Sequence, residues 1–176
     1  MKPFAQILSV VTLGALGAGP AAAMSQQEAV LAALDDEYRA YAVYETVMNR
    51  FGEVRPFVNI QRAESMHASM LIDYAKKNGI AVPANPYLGA NLPAAPASLA
   101  EACEIGVQAE IDNAGLYQGQ LLPAASGNAE LTGIFTKLMN DSQQKHLPAF
   151  QRCGGQQGAM GGHGGKGGKG PRWNKS

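Results

Sequence analysis

The chain has 176 residues, about one domain's worth, and its 14 basic and 14 acidic side chains cancel to a formal net charge of zero. The total conceals a division. Residues 24–153 hold nine Lys/Arg against fourteen Asp/Glu, whereas the stretch from Gly154 onward carries Lys166, Lys169, Arg172 and Lys175 with no acid. An acidic domain with a thinly basic end is a poor match for nucleic acid, whose binding draws on dense basic surfaces.

Residues 1–23 begin with Lys2, continue through an apolar run from Ile7 to Leu16, and end in Ala21-Ala22-Ala23. That order predicts a secretory signal peptide cleaved after Ala23, and hence export to the periplasm or the extracellular space. The run falls short of the roughly 20 apolar residues of a spanning helix, and no other segment offers a membrane span.

Four helical segments follow. The first is expected over about Gln26 to Phe51, opened by the capping pattern Ser25-x-x-Glu28. The second is expected from about Pro56 to Asn78, closed by Asn78-Gly79. A third, from about Leu99 to Leu122, opens with Ser98-x-x-Glu101 and should stop before Pro123. The fourth runs from about Ala129 to Arg152, and Pro148 inside it should kink it or end it early. Two connections are short. The middle one, Ile80 to Ala97, is long and carries Pro83, Pro86, Pro93 and Pro96. A helix of this length spans about 35 Å, and an extended connection at roughly 3.1 Å per residue can cover that distance. Short–long–short connectivity predicts an all-α, ferritin-like four-helix bundle with a crossover between helices 2 and 3. From Gly154 to Ser176 the glycine-rich sequence has little to bury and is expected to be a disordered basic tail.

Steps of three and four trace the core-facing stripes. They run Val30, Leu34, Glu37, Tyr41, Tyr44, Met48; then Phe57, Ile60, Glu64, His67, Leu71, Tyr74. The third is Leu99, Cys103, Gly106, Glu110, Asn113, Tyr117, and the fourth Phe135, Met139, Ser142, His146, Phe150, Cys153, with Gln143 beside it. Each stripe is interrupted by an ionisable side chain near its middle. Buried carboxylates cost several kcal/mol each unless compensated. A metal ion held by Glu37, Glu64, His67, Glu110 and His146 would compensate them, and this donor set suits iron, manganese or zinc. Taken singly, each Glu reads as tilted to solvent and each His as a satisfied core residue; their coincidence in depth favours a metal. A weak repeat supports this: Tyr44 follows Glu37, and Tyr117 follows Glu110, by seven residues, while Glu64-x-x-His67 is echoed by Gln143-x-x-His146. Cys103 precedes Glu110 by seven residues and Cys153 follows His146 by seven, so an antiparallel pair of helices would bring the two cysteines together as a disulfide.

Glu37, Glu64-Ser65-Met66-His67, Glu110 and His146 resemble the ligand pattern of the ferritin-like superfamily, rubrerythrin included. Gly106–Tyr117 and His146–Cys153 resemble more closely a bacterial and archaeal family of ferritin-like proteins defined by a domain of unknown function. The resemblance implies two metals, with Glu37, Glu64 and His67 at one, Glu110 and His146 at the other, and Glu64 bridging. Gln143 stands where a second bridging Glu is expected, which leaves one metal or an asymmetric pair open.

Three functions are compatible with these residues. The resemblance implies an oxidoreductase-type site, most readily iron, reacting with oxygen or peroxide as a ferroxidase or peroxidase does. Tyr41, Tyr44, Asn113, Tyr117 and Gln143 would surround the ligands. No rubredoxin-like cysteine cluster exists to deliver electrons. A metal-sequestering protein without turnover is the second, to which Gln143 and His163 of the tail lean, and a bundle with a vestigial site is the third. A homodimer is left open.

Overall fold

Ser25 opens the first helix by accepting a hydrogen bond from the Glu28 backbone N–H, and the Glu28 carboxylate accepts one in return from the Ser25 N–H. In the computed structural model, which describes residues 23–155, helix α1 (Gln26–Phe51) then continues unbroken to Gly52, whose φ of 84° turns the chain. Helix α2 (Phe57–Lys77) follows, and every member of its expected stripe, from Phe57 to Tyr74, is buried.

The long connection lies against α1. Tyr87 donates to the Asp35 carboxylate and Tyr38 to the Pro83 carbonyl, toward the middle of α1. Thr46 donates to the Pro93 carbonyl and Arg50 to that of Ala97, near its end. The connection therefore climbs along α1 and delivers α3 (Leu99–Leu116) antiparallel to it. Ser98 caps α3 as expected, although the Glu101 carboxylate reaches one residue further back, to the Ala97 N–H.

Pro123 behaves differently from expectation, while Pro148 distorts its rod without ending it. Instead of stopping before Pro123, the third rod passes through a π-helical turn (Tyr117–Leu121) into the short α4 (Leu122–Ala124). The fourth rod, α5 (Ala129–Asp141), passes through a second π-helical turn (Ser142–His146) into α6 (Leu147–Gly155), so Pro148 does not end it. The cause is the same in both. A proline ring clashes with the carbonyl four residues back and offers no N–H. Here the residue just before each proline bonds five residues back, Leu122 N–H to Tyr117 and Leu147 N–H to Ser142, and the widened turn accommodates the ring. The fourth rod reaches Gly155, two residues past the expected boundary at Cys153. The expected leader, except Ala23, and the glycine-rich tail from Gln156 lie outside the described residues.

Among the described residues the structure is all-helical, with four rods and no helix long and apolar enough to cross a membrane. Residues from all four rods meet in two apolar clusters. One gathers Val30, Leu34, Leu71, Tyr117, Leu121, Leu131 and Phe135. The other gathers Tyr44, Val47, Phe57, Ile60, Cys103 and Phe150. On each rod the ionisable members of the stripe fall between the two, so a polar layer crosses the middle of the core. Cys103 and Cys153 form the expected disulfide, with Cα atoms 5.8 Å apart, and tie α3 to α6 at the second cluster. Closing its 50-residue separation removes unfolded-chain entropy worth about 4 kcal/mol.

Close packing of α3 on α6 depends on Gly106, where an added Cβ would stand 2.6 Å from the Phe150 ring. That ring is fully buried between Tyr44 and Phe57 and has nowhere to move. Gly106→Ala is expected to cost about 1–3 kcal/mol by overpacking. Gly115→Ala, in the same helix with open space around it, should instead stabilise by about 0.5–1 kcal/mol. Urea denaturation of both variants checks the contrast; equal effects would remove the close contact as the reason for Gly106.

Candidate metal centre

The polar layer is assembled one helix at a time. Glu37 projects from α1, Glu64 and His67 share one face of α2 at i,i+3 spacing, Glu110 comes from α3, and His146 closes the π-helical turn of the fourth rod. All five are at most 4% exposed. All five candidate ligands inferred from the stripes thus converge.

Their geometry has an internal symmetry about Glu64. One Glu64 oxygen lies 2.9 Å from His67 Nδ1 and the other 3.2 Å from His146 Nδ1. His67 Nδ1 is also 3.4 Å from Glu37, and His146 Nδ1 3.6 Å from Glu110. The two imidazoles stack with centroids 5.7 Å apart. Two triads result, Glu37–Glu64–His67 and Glu64–Glu110–His146, each with donor atoms within 4.8 Å of one another, and each could hold a metal ion. The tyrosines cross over: Tyr44 of α1 donates to Glu110, and Tyr117 of the third rod donates to Glu37, both at 3.3 Å. The Glu-to-Tyr repeat thus has a structural meaning, since each half supplies a carboxylate to its own triad and a phenol to the other half's carboxylate.

Electrostatics in the layer are severe. Burial, then the charge on Glu64, pushes Glu37 well above the ordinary carboxylate range. Burial opposes a charged imidazole at His67, but the hydrogen bonds to Glu37 and Glu64 outweigh it and raise the ring to about 10. His146 rises to about 9 against the same opposition, through Glu110 and Glu64. Burial also opposes the Glu64 carboxylate, yet the two imidazoles hold it at about 2. Burial, then neighbouring carboxylates, drives Tyr44 and Tyr117 upward, which keeps both phenols neutral donors. In the metal-free protein, protons on the two imidazoles therefore perform the compensation that a cation would perform. The donor set fits a cation well: oxygens and imidazole nitrogens in two compact groups, with little access to water.

Other anticipated residues divide. Asn113 lines the cleft and donates to Asp36 at 2.7 Å, while its own amide oxygen is buried with no hydrogen-bond partner. Gln143 turns aside from the ligands: its amide donates to the Glu110 carbonyl at 2.6 Å and to Ser142. Tyr41 is partly exposed and absent from the cleft lining, and its carbonyl accepts from Gln61. Asp141 is the residue that stripe reasoning missed. Its Oδ2 lies 3.2 Å from His67 Nε2, and Lys137 and Lys145 hold the carboxylate from either side. Lys137-x3-Asp141-x3-Lys145 reads in the sequence as a solvated charged face, so only the paired histidine reveals its role.

A cleft of about 180 Å³ reaches the layer between α1 and α3, lined in part by Asp36, Ala40, Val43, Ala109 and Asn113. That volume is below the roughly 300 Å³ at which pockets for drug-sized organic ligands begin.

No family model matches the chain, and no curated protein does. Among solved structures, the chain is similar to the hypothetical protein MJ0754 from Methanococcus jannaschii DSM 2661, with a TM-score of 0.65 at 19% identity over 80% of this chain and 86% of that one. At that identity the likeness extends to the fold alone.

The raised imidazoles make the metal-free protein sensitive to alkali. A group with its pKa raised on folding stabilises fully below its unfolded value, near 6.5, and the stabilisation is lost as pH climbs through the folded value. For His67 and His146 the loss is expected between about pH 7 and 10. Thermal unfolding in the presence of a chelator should show Tm falling across that window, and the fall should shrink in His67→Gln and His146→Gln. A flat profile in the parent would contradict the protonated-imidazole account.

Proposed function

We propose that residues 24–153 form a ferritin-like four-helix bundle, related to rubrerythrin-like proteins, that is exported and holds one or two metal ions, iron most readily, for reaction with a small oxidant. The observation that carries this reading is the pair of buried triads sharing Glu64, one completed by Glu37 and His67 of the first two rods and the other by Glu110 and His146 of the last two. A Glu from each of two helices, with Glu-x-x-His motifs on the others, is the arrangement of carboxylate-bridged metal proteins in this architecture. The disulfide and the leader-like residues 1–23 support export.

Glu37, Glu64 and His67 would hold one ion and Glu110 and His146, with the second oxygen of Glu64, the other. A redox-active ion there supplies one-electron chemistry toward oxygen or peroxide. The chain's own contributions are distinct from that chemistry. Tyr44 and Tyr117 fix the outer carboxylates by donating to them. The two apolar clusters exclude water from above and below the layer. The small cleft between α1 and α3, about 180 Å³, would suit molecules of the size of oxygen or peroxide.

One observation favours a second reading, sequestration without turnover. Gln143 is committed to the Glu110 backbone rather than to the ligand set, so the second triad lacks a second bridging carboxylate. Two measurements separate the readings. Purified protein should contain bound transition metal by elemental analysis, and Glu64→Ala should contain almost none, because Glu64 belongs to both triads. After anaerobic loading with Fe(II), and with excess Fe(II) supplied as the electron donor, a turnover site oxidises Fe(II) with oxygen or peroxide beyond the amount bound, whereas a sequestering site oxidises no more than it holds. Absence of any metal in the parent, in native and reconstituted protein alike, would leave the layer a structural ion-pair network.

A further inference from the structure

Under the metal reading, on which this inference rests, the two triads are near-equivalents in donor set, yet their surroundings are not equivalent. His67 uses Nδ1 toward Glu37 and Glu64 and turns Nε2 to Asp141. A carboxylate on the far nitrogen fixes the ring's orientation and tautomer and makes the facing nitrogen a stronger donor. Asp141 is itself held in place, with Lys137 and Lys145 paired to its carboxylate from the same helical rod. His146 has no such support. Its Nδ1 faces Glu64 and Glu110, and among the described residues no carboxylate lies within ion-pair distance of its Nε2. Gln143, the residue in its half that matches Glu64 by spacing, is bound to the α3 backbone.

Charge counting points the same way. The layer offers three carboxylates to the two triads, with Glu64 counted in both. A first divalent ion enters a site of excess negative charge. A second meets a layer already largely neutralised, and both together leave an excess of positive charge in a dry interior, which is costly. A Glu in place of Gln143 would remove that excess.

We infer that the two triads bind metal unequally and in order, with Glu37–Glu64–His67 filled first and tightly, Glu64–Glu110–His146 second and weakly, and Asp141 as the positioning residue that sets the order. The protein then rests with one resident ion and one exchangeable ion beside it.

Titration of Co(II) into the chelator-treated full chain, followed by calorimetry and by the visible absorption of the bound ion, tests this. Two classes of uptake are expected, at least tenfold apart in affinity. Asp141→Asn should weaken the tighter class by about 10–100-fold and leave the weaker class unchanged, and Asp141→Glu should recover most of the loss. Gln143→Glu should tighten the weaker class and narrow the gap. Loss of the tight class should accompany His67→Gln and not His146→Gln. A single class, a tight class lost with His146→Gln, or equal weakening of both classes in Asp141→Asn overturns the order while leaving metal binding intact. No uptake by the parent chain overturns the metal reading as well.

Discussion

Three carboxylates buried between two apolar clusters form the constraint around which the rest of the molecule is arranged. Isolated, each would cost several kcal/mol in lost hydration. None is isolated here. Glu64 stands between two imidazoles, and Glu37 and Glu110 each receive a tyrosine hydroxyl from the opposite half. The helices carrying these groups must therefore hold their axial positions to within a fraction of a turn. The fold meets that demand from both ends, with an apolar cluster at each side of the layer and a disulfide beyond one of them.

That demand also explains the long connection. A short hairpin after α2 would send the third rod antiparallel to α2 and would not bring Glu110 level with Glu37 in the antiparallel sense that Tyr44 and Tyr117 require. By lying along α1, fastened at Asp35, Tyr38, Thr46 and Arg50, the segment from Ile80 to Ala97 resets the chain at the other end. The crossed tyrosine contacts follow from that reversal: each Tyr lies two helical turns past its own Glu, and antiparallel α1 and α3 place it beside the other's.

Much of this was legible in the sequence because burial periodicity and polar interruption are both local signals. The α2 stripe is read correctly throughout, and the five ionisable interruptions are the five residues that meet. The failures have separate physical origins. Tyr41 falls on a step of the α1 stripe, yet α1 buries Tyr38, Ala42 and Tyr44 around it, since packing on two neighbours widens the buried face and moves its centre. Gln143 and Asp141 flank Ser142, and regular spacing places Gln143 toward the ligands and Asp141 toward solvent. The π-helical turn that begins at Ser142 changes the rotation of the residues after it, and no composition signal announces a π turn except the proline just beyond it. Asp141, which precedes that turn, was hidden for a different reason: its two lysines at i±4 give the pattern of an exposed ion-pair ladder.

The two π-helical turns connect these misreadings to the chemistry. Each sacrifices regular helical hydrogen bonding, which needs a compensating reason. Accommodation of Pro123 and Pro148 is one, but a proline can be avoided altogether in a sequence. The positions of the turns suggest the deeper reason: one begins at Tyr117 and the other ends at His146, both members of the buried layer. Across this turn Ser142 and His146 are both buried, while Asp141, just before it, reaches round to His67. The irregular backbone thus coincides with the site, and the prolines hold the irregularity in place by making the regular alternative sterically worse.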